Sequence, residues 1–270
     1  MGFTYSILHT MVETEESFAG FHGFEDTTSG NRGTNITCFV QNKAEDDCCY
    51  GIQYVPKKDM EKMKQIFFSQ KDKTQYLYTT KEDYSELFLN WDRTGGEESV
   101  MELLAAGFYS YMSLKETLLI HASAIAYEGM GLVFTAASGV GKTTQAELWA
   151  QYKNARILNG DKVFLKQEED GIHAWGSPWN GSSCYALNES AKLKAIVVLE
   201  QAEENSIHKL NVLEAMKYFV PHVFFPCWDE RCEQSVLTFL DHVLEETDIY
   251  LLKCRPDESA VELLASVIKE

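Results

Sequence analysis

With 270 residues, 45% of them hydrophobic and 12% aromatic, the chain is long and apolar enough to fold around one large core or two modest ones, and it is not a disordered segment. Its 41 acidic residues outweigh 24 basic ones, and the resulting formal charge of -17 disfavours nucleic acid and anionic membrane surfaces; no basic patch in the sequence offsets it. Neither a secretory signal nor an apolar run of membrane-spanning length is found, so the expected location is cytoplasmic.

The region 1–95 reads as an α+β lobe. Short β-like runs at Phe3–Leu8, Thr34–Val40 and Gln75–Tyr78 alternate with polar loops, and Ser29-Gly30-Asn31-Arg32-Gly33 is a turn cluster. The spacing of Met60, Met63, Ile66 and Phe67 predicts a short helix over Lys58–Ser69. Nothing in this region points to chemistry. From Glu97 the texture changes, and 96–270 reads as a second, nucleotide-binding domain. Val100, Leu103, Leu104, Phe108 and Met112 mark one face of a helix ending near Lys115. Apolar runs at Leu118–Ile120, Ala124–Tyr127 and Gly131–Thr135 follow, the last two joined by a hairpin turn at Glu128-Gly129-Met130. A helix is expected over Lys142–Tyr152, then strands at Arg156–Leu158, Lys162–Leu165, Ile172–Trp175 and Leu193–Leu199. Helices near Leu213–Phe219 and Glu230–Glu246, a strand at Tyr250–Lys253 and a helix at Glu258–Ile268 complete the chain. The fold class expected is α/β, with hairpins making the sheet mixed or antiparallel.

The seven cysteines, Cys38, Cys48, Cys49, Cys184, Cys227, Cys232 and Cys254, contain no CxxC pair and no Cys/His cluster at zinc-ligand spacing. They read as reduced thiols.

One segment carries chemistry. Ala136-Ala137-Ser138-Gly139-Val140-Gly141-Lys142-Thr143-Thr144 follows an apolar strand and opens a helix, the context a phosphate-binding loop needs. Small residues let backbone N–H groups curl around phosphate oxygens at a helix N-terminus, where the dipole favours anions. Ser138, Gly139, Val140, Gly141, Lys142, Thr143 and Thr144 are the expected nucleotide-binding residues, with Lys142 reaching the terminal phosphates and the Thr143 hydroxyl meeting a magnesium ion. The pattern GxxxxGK(S/T) begins with glycine, whereas this chain has Ala136; alanine is costly there only if the backbone needs positive φ. Downstream, Asp161 in Asn159-Gly160-Asp161 fits either a magnesium-holding carboxylate or a plain turn residue. His121, upstream, fits a structural role as well as a catalytic one.

Taken together, the stretch from His121 through Gly131 into Ser138-Gly139-Val140-Gly141-Lys142 resembles the kinase domain of HPr kinase/phosphorylase, within the wider group that includes ATP-dependent phosphoenolpyruvate carboxykinase. The resemblance covers about residues 116–200, weaker again at Tyr250–Pro256, and implies functional roles for His121 and Asp161. Of the family's acidic pair, the first position falls on Gly160 and only Asp161 is retained. The family's arginine-containing glycine segment is replaced by Gly176-Ser177-Pro178-Trp179-Asn180-Gly181-Ser182-Ser183, and its long acidic recognition segment is not evident. The chain is more similar to HPr-kinase-like proteins found beside peptide-modification genes, some of which phosphorylate a peptide serine.

The resemblance implies a kinase using ATP or another nucleoside triphosphate with magnesium. Lys142, Asp161 and His121 are its expected catalytic residues, and Thr143 and Asp161 its metal ligands. The expected partner is a hydroxyl acceptor, on a peptide, a protein or a small molecule; a homo-oligomer is compatible. The Gly176–Ser183 segment reads either as a grip on acceptor or triphosphate, or as a tight turn with Trp179 in the core. Arg255 reads as a charge stabiliser or as half of a surface salt bridge. Three rivals stay open: a carboxykinase-like transferase, a nucleotide-gated binding module, and the reverse, phosphate-dependent reaction.

Overall fold

The structure is a computed structural model and describes residues 2–27, 33–42, 47–50, 53–56, 65–69, 75–79, 81–91 and 97–269. They fall into two units, Met1–Lys115 with Pro226–Ser235, and Glu116–Phe225 with Val236–Glu270. None of the helices of the described residues is long and apolar enough to cross a membrane.

The first unit holds β1 (Phe3–Ile7), β2 (Thr10–Thr14), β3 (Ile36–Asn42), β4 (Asp47–Tyr50), β5 (Gln53–Pro56), β6 (Gln65–Ser69), β7 (Gln75–Thr79), β8 (Glu86–Trp91) and α1 (Glu97–Ser113). Six of the strands make one sheet in the order β1-β2-β3-β8-β7-β6, parallel at β2–β3 and β3–β8. Helix α1 packs on β7 and β8, with Val100, Leu103, Leu104, Phe108 and Met112 buried as their spacing predicts. Gly107 allows the close approach, because a Cβ there would lie 2.7 Å from a Leu87 methyl. That packing groups α1 with the strands before it, so the boundary between units lies at 115/116 rather than at 95/96. The helix expected over Lys58–Ser69 is also corrected. Residues 57–64 lie outside the described residues, and Gln65–Ser69 is the strand β6, paired antiparallel with β7. Ile66-Phe67-Phe68 is a run of good β-formers, and strand pairing overrides the helical spacing. Residues 29–32 of the expected turn cluster also lie outside the described residues.

The second unit holds β9 (Thr117–Tyr127), β10 (Met130–Thr135), α2 (Lys142–Lys153), β11 (Arg156–Asn159), β12 (Lys162–Glu168), β13 (Gly171–Trp175), β14 (Ser190–Gln201), β15 (Ser206–Lys209), α3 (Val212–Tyr218), β16 (Val223–Phe224), most of α4 (Glu230–Glu246), β17 (Asp248–Cys254) and α5 (Glu258–Ile268). Its mixed sheet curls back on itself, since β10 pairs antiparallel with β9 and parallel with β14. The β9–β10 hairpin turns at Glu128-Gly129, both with positive φ (48° and 81°), the signature of a type I′ turn. The two apolar runs around His121 are one continuous eleven-residue strand, β9, so His121 sits mid-strand rather than at an end. It pairs with Lys162 of β12.

Three parallel strands, β10, β14 and β17, end on one edge of this sheet. Ligands of open α/β sheets bind outside such carboxyl ends. Helices α2 and α5 cover the adjoining face, their apolar sides meeting the strands through Trp149, Val261, Leu264 and Ile268. Trp149 is fully buried, edge-on to Tyr127 at 5.2 Å, and its indole N–H has no partner among the described residues. Replacing Trp149 with alanine is expected to cost about 3–5 kcal/mol. Phenylalanine is expected to cost less than half of that, because it also removes the orphaned donor. Chemical denaturation of both variants measures the difference, and equal losses would contradict it.

Candidate functional site

The segment 136–141 leaves the end of β10 and enters α2 at Lys142. Gly139 and Gly141 adopt φ of 80° and 121°, and a Cβ at Gly139 would meet nothing within 4 Å. It is therefore backbone conformation, not space, that asks for glycine there. Ala136 is buried and is not among the positive-φ residues, so the absent first glycine costs nothing. Lys142 is only 7% exposed and folds back, its ammonium donating to the Ala136 carbonyl at 3.1 Å. Burial pulls its pKa below the ordinary lysine value, against an opposing pull from Asp161.

Asp161 is placed by its neighbour but one. Asn159, fully buried at the end of β11, accepts the backbone N–H groups of Asp161 and Lys162 at 2.7 and 2.8 Å. Its amide donates to the Ser177 carbonyl at 2.8 Å, tying the turn to the 176–183 segment. Asp161 thus lies in an Asx-type turn, and that turn sets it beside His121. His121 Nδ1 lies 3.0 Å from Asp161 Oδ1, and Lys162 Nζ lies 3.3 Å from Oδ2. Burial works to raise the Asp161 pKa, but the His121 hydrogen bond and the Lys162 charge outweigh it and hold the carboxyl below its ordinary value.

The Thr143 hydroxyl donates to the Gly160 carbonyl at 3.3 Å, and Ser123 of β9 donates to the same oxygen at 3.2 Å. One cavity of about 270 Å³ brings His121, Ser138, Gly139, Gly141, Lys142, Thr143, Thr144 and Asp161 together, with Asn180, Ser182 and Ser183 on its far wall. Of the loop residues Ser138–Thr144, Val140 alone does not line it. Trp179 is buried against Phe164 while Asn180, Ser182 and Ser183 face the cavity, so the segment is at once a tight turn and a wall of the site. Gly160 leaves no room for the missing first acid, because a Cβ would lie 2.2 Å from Ser183 Oγ.

A larger cavity of about 430 Å³ shares Gly139, Gly141 and Thr144 with the first and runs over the carboxyl ends of β14 and β17. Gln145, 2% exposed, lines it, and its Nε2 has no hydrogen-bond partner among the described residues. Arg255 also lines this cavity, away from His121, and pairs with Asp257 at 3.0 Å. Among the described residues no group of three or more His, Cys, Asp or Glu side chains could hold a metal ion.

The family described as "SynChlorMet cassette protein ScmC" matches residues 97–230. That span holds His121, the loop and Asp161. No curated protein matches the chain. Among solved structures, the Hpr(Ser) kinase/phosphatase from Coxiella burnetii is similar at 12% identity, over 56% of this chain and 88% of that one, with a TM-score of 0.35.

Sequence reasoning missed Ser123, Gln145, Asn159 as an anchor, Lys162 and His222. Asn159 had a signal in its Asn-Gly-Asp turn chemistry. His222 had none. Its place follows from β16, whose Val223 pairs with Ile120, the residue before His121. Burial, then the charges of Lys142 and His121, push the His222 pKa below the ordinary histidine value.

Proposed function

We propose that the chain binds a nucleoside triphosphate with magnesium and transfers its terminal phosphoryl group to a hydroxyl acceptor. One observation carries this: the loop Ser138–Thr144 shares a single cavity with a hydrogen-bonded His121–Asp161 pair. A loop with two glycines at positive φ and a helix behind it suits phosphates, and a buried, acceptor-seeking lysine beside it suits their charge. The orphaned Gln145 amide suits the nucleoside, which would run from Thr144 into the larger cavity at the strand ends.

Magnesium would be held by Thr143 and, directly or through water, by Asp161, and when bound it neutralises charge on the phosphates. The chain's own residues do the rest. Loop amides and Lys142 fix the terminal phosphates for in-line attack. The acceptor oxygen forms a bond to the γ-phosphorus as the bond to the β–γ bridging oxygen breaks, the electron pair staying on the departing diphosphate. The acceptor's proton passes to the His121–Asp161 pair, whose carboxylate steadies the imidazolium that results. Most of the acceleration comes from positioning and charge stabilisation.

The decisive experiment incubates the protein with γ-labelled ATP, magnesium and the products of neighbouring genes, and locates the label by mass spectrometry. Label on a hydroxyl-bearing residue supports the proposal. Nucleotide-dependent partner binding without transfer would replace it with a nucleotide-gated module.

A further inference from the structure

The loop has a second neighbour. A cavity of about 300 Å³ on the side of Ala136 and Ala137, the carbonyls that hold Lys142, is lined by Val140, Leu251, Lys217, Tyr218, Pro221 and His222. Gln201 donates from its side chain to the Val140 carbonyl at 3.1 Å, and this bridge lies between the cavity and the larger one at the strand ends. If the nucleoside takes the larger cavity, this one remains for the other substrate. His222 lines it together with Ala136, whose carbonyl holds Lys142, and the strand that follows His222 pairs with β9 beside His121, Val223 facing Ile120.

The rim of this cavity continues onto α3. That helix is only seven residues long, yet it is well fixed: Asn211 and Glu214 form a reciprocal capping box, and Ala215 and the following Phe219 anchor its inner side. Its outer side is apolar, with Val212 58%, Leu213 79% and Met216 54% exposed. Leu213 lies one helical turn before Lys217, the first residue of the cavity's rim. A rigid helix that shows such side chains to water beside a cavity marks a binding surface. Three side chains are far too little for a stable dimer, which buries about 800 Å² on each partner.

We propose that the cavity at His222 and the exposed turn of α3 form one acceptor groove, and that its occupant is an extended peptide. The peptide sets its hydroxyl residue at His222 and an apolar side chain on Leu213 and Met216. This rests on the phosphoryl-transfer function proposed above. From Leu213 to Tyr218 the helix rises about 7.5 Å, which an extended chain crosses in roughly two residues. The apolar residue therefore lies about two to four positions from the phosphorylated one. A small hydroxyl compound would fill the cavity but leave α3 unused. The imidazole N–H of His222 can donate to the hydroxyl oxygen and orient it, which leaves the O–H proton to the His121–Asp161 pair.

The test uses the full chain, magnesium, γ-labelled ATP and a library of peptides with one fixed serine and degenerate flanks. The wild type is expected to select apolar residues at a fixed offset within that window. Leu213→Ser with Met216→Ser, both at exposed positions and therefore able to fold, is expected to lose the selection. The KM for a selected peptide should rise at least tenfold, while kcat at saturation and the KM for ATP stay within about twofold. His222→Gln should lower kcat/KM for the same peptide with little effect on ATP affinity. No flanking preference, an unchanged double variant, or phosphorylation of small hydroxyl compounds but of no peptide would each overturn the groove and leave the kinase proposal standing. A wild type that binds no magnesium–ATP overturns both.

Discussion

Lys142→Met is expected to cut the thermal stabilisation that magnesium–ATP gives the wild type to half or less, without unfolding the protein. The two halves of that result have separate physical causes. In the folded chain the Lys142 ammonium is almost entirely removed from water and is held only by loop carbonyls, so burial works against its charge. Methionine fills similar space and needs no hydration, so the nucleotide-free melting temperature should equal or exceed that of the wild type. With nucleotide the sign reverses. The lysine supplies a charge-assisted contact to the terminal phosphates, and losing such a contact weakens binding roughly 10- to 100-fold. At 100 times Kd a ligand stabilises by about 2.7 kcal/mol, and the variant should keep only about 0.4 to 1.4 kcal/mol of it. Turnover should fall by a further 10²- to 10³-fold, since the same charge counters what builds up in transfer. A nucleotide shift undiminished in Lys142→Met would remove the loop from the triphosphate site.

How far the sequence foretells the fold depends on where the deciding contacts lie. Helices α4 and α5 run over the spans that their periodicity predicts, because each has an apolar side that local spacing writes into the chain. The β9–β10 hairpin is equally legible, because Glu128-Gly129 demands a single turn type. Three features depend instead on partners distant in sequence. Residues 65–69 have helical spacing but pair as a strand with β7. The polar residue His121 interrupts an apolar run but not strand β9, since β12 pairs across it. Strand β16 is two residues long, and only its pairing with β9 shows it.

The site follows the same rule. The loop proposed for the phosphates could be picked out because its glycines, lysine and threonine lie within seven residues of one another. Asp161 and His121 were legible only as candidates, since forty residues separate them and nothing local says that β9 and the turn after β11 meet. The Ala122 N–H of β9 donates to the Asp161 carbonyl at 2.9 Å and joins the two, while Asn159 shapes the turn. Asn159 gives its carbonyl oxygen to two backbone donors and its amide to Ser177, an arrangement that no spacing rule would find. Gln145 and His222 were silent, because a glutamine in a helix and a histidine after a proline are ordinary until cavities form around them.

Because His121 and Asp161 are hydrogen bonded at 3.0 Å, they are expected to fail together. Asp161→Asn should lower kcat by about 10²- to 10⁴-fold and change the Kd for ATP by less than about threefold. The amide is nearly the same size and can still accept from Nδ1, so the geometry holds while the charge that steadies an imidazolium is lost. His121→Gln should cost a similar factor, and the double variant should cost little more than the worse single one. Fully additive losses, with the double variant near the product of the singles, would show two independent roles and refute a shared proton relay. The same pair makes a prediction in pH. A folded-state carboxyl held below its ordinary value of 3.8 contributes stability that is present above that value and is lost as pH falls through the folded one. The wild type should therefore lose melting temperature on acidification below about that value more steeply than Asp161→Asn. Parallel curves would mean that His121 and Lys162 do not hold the charge, and the case for Asp161 as the paired carboxylate would fall with it.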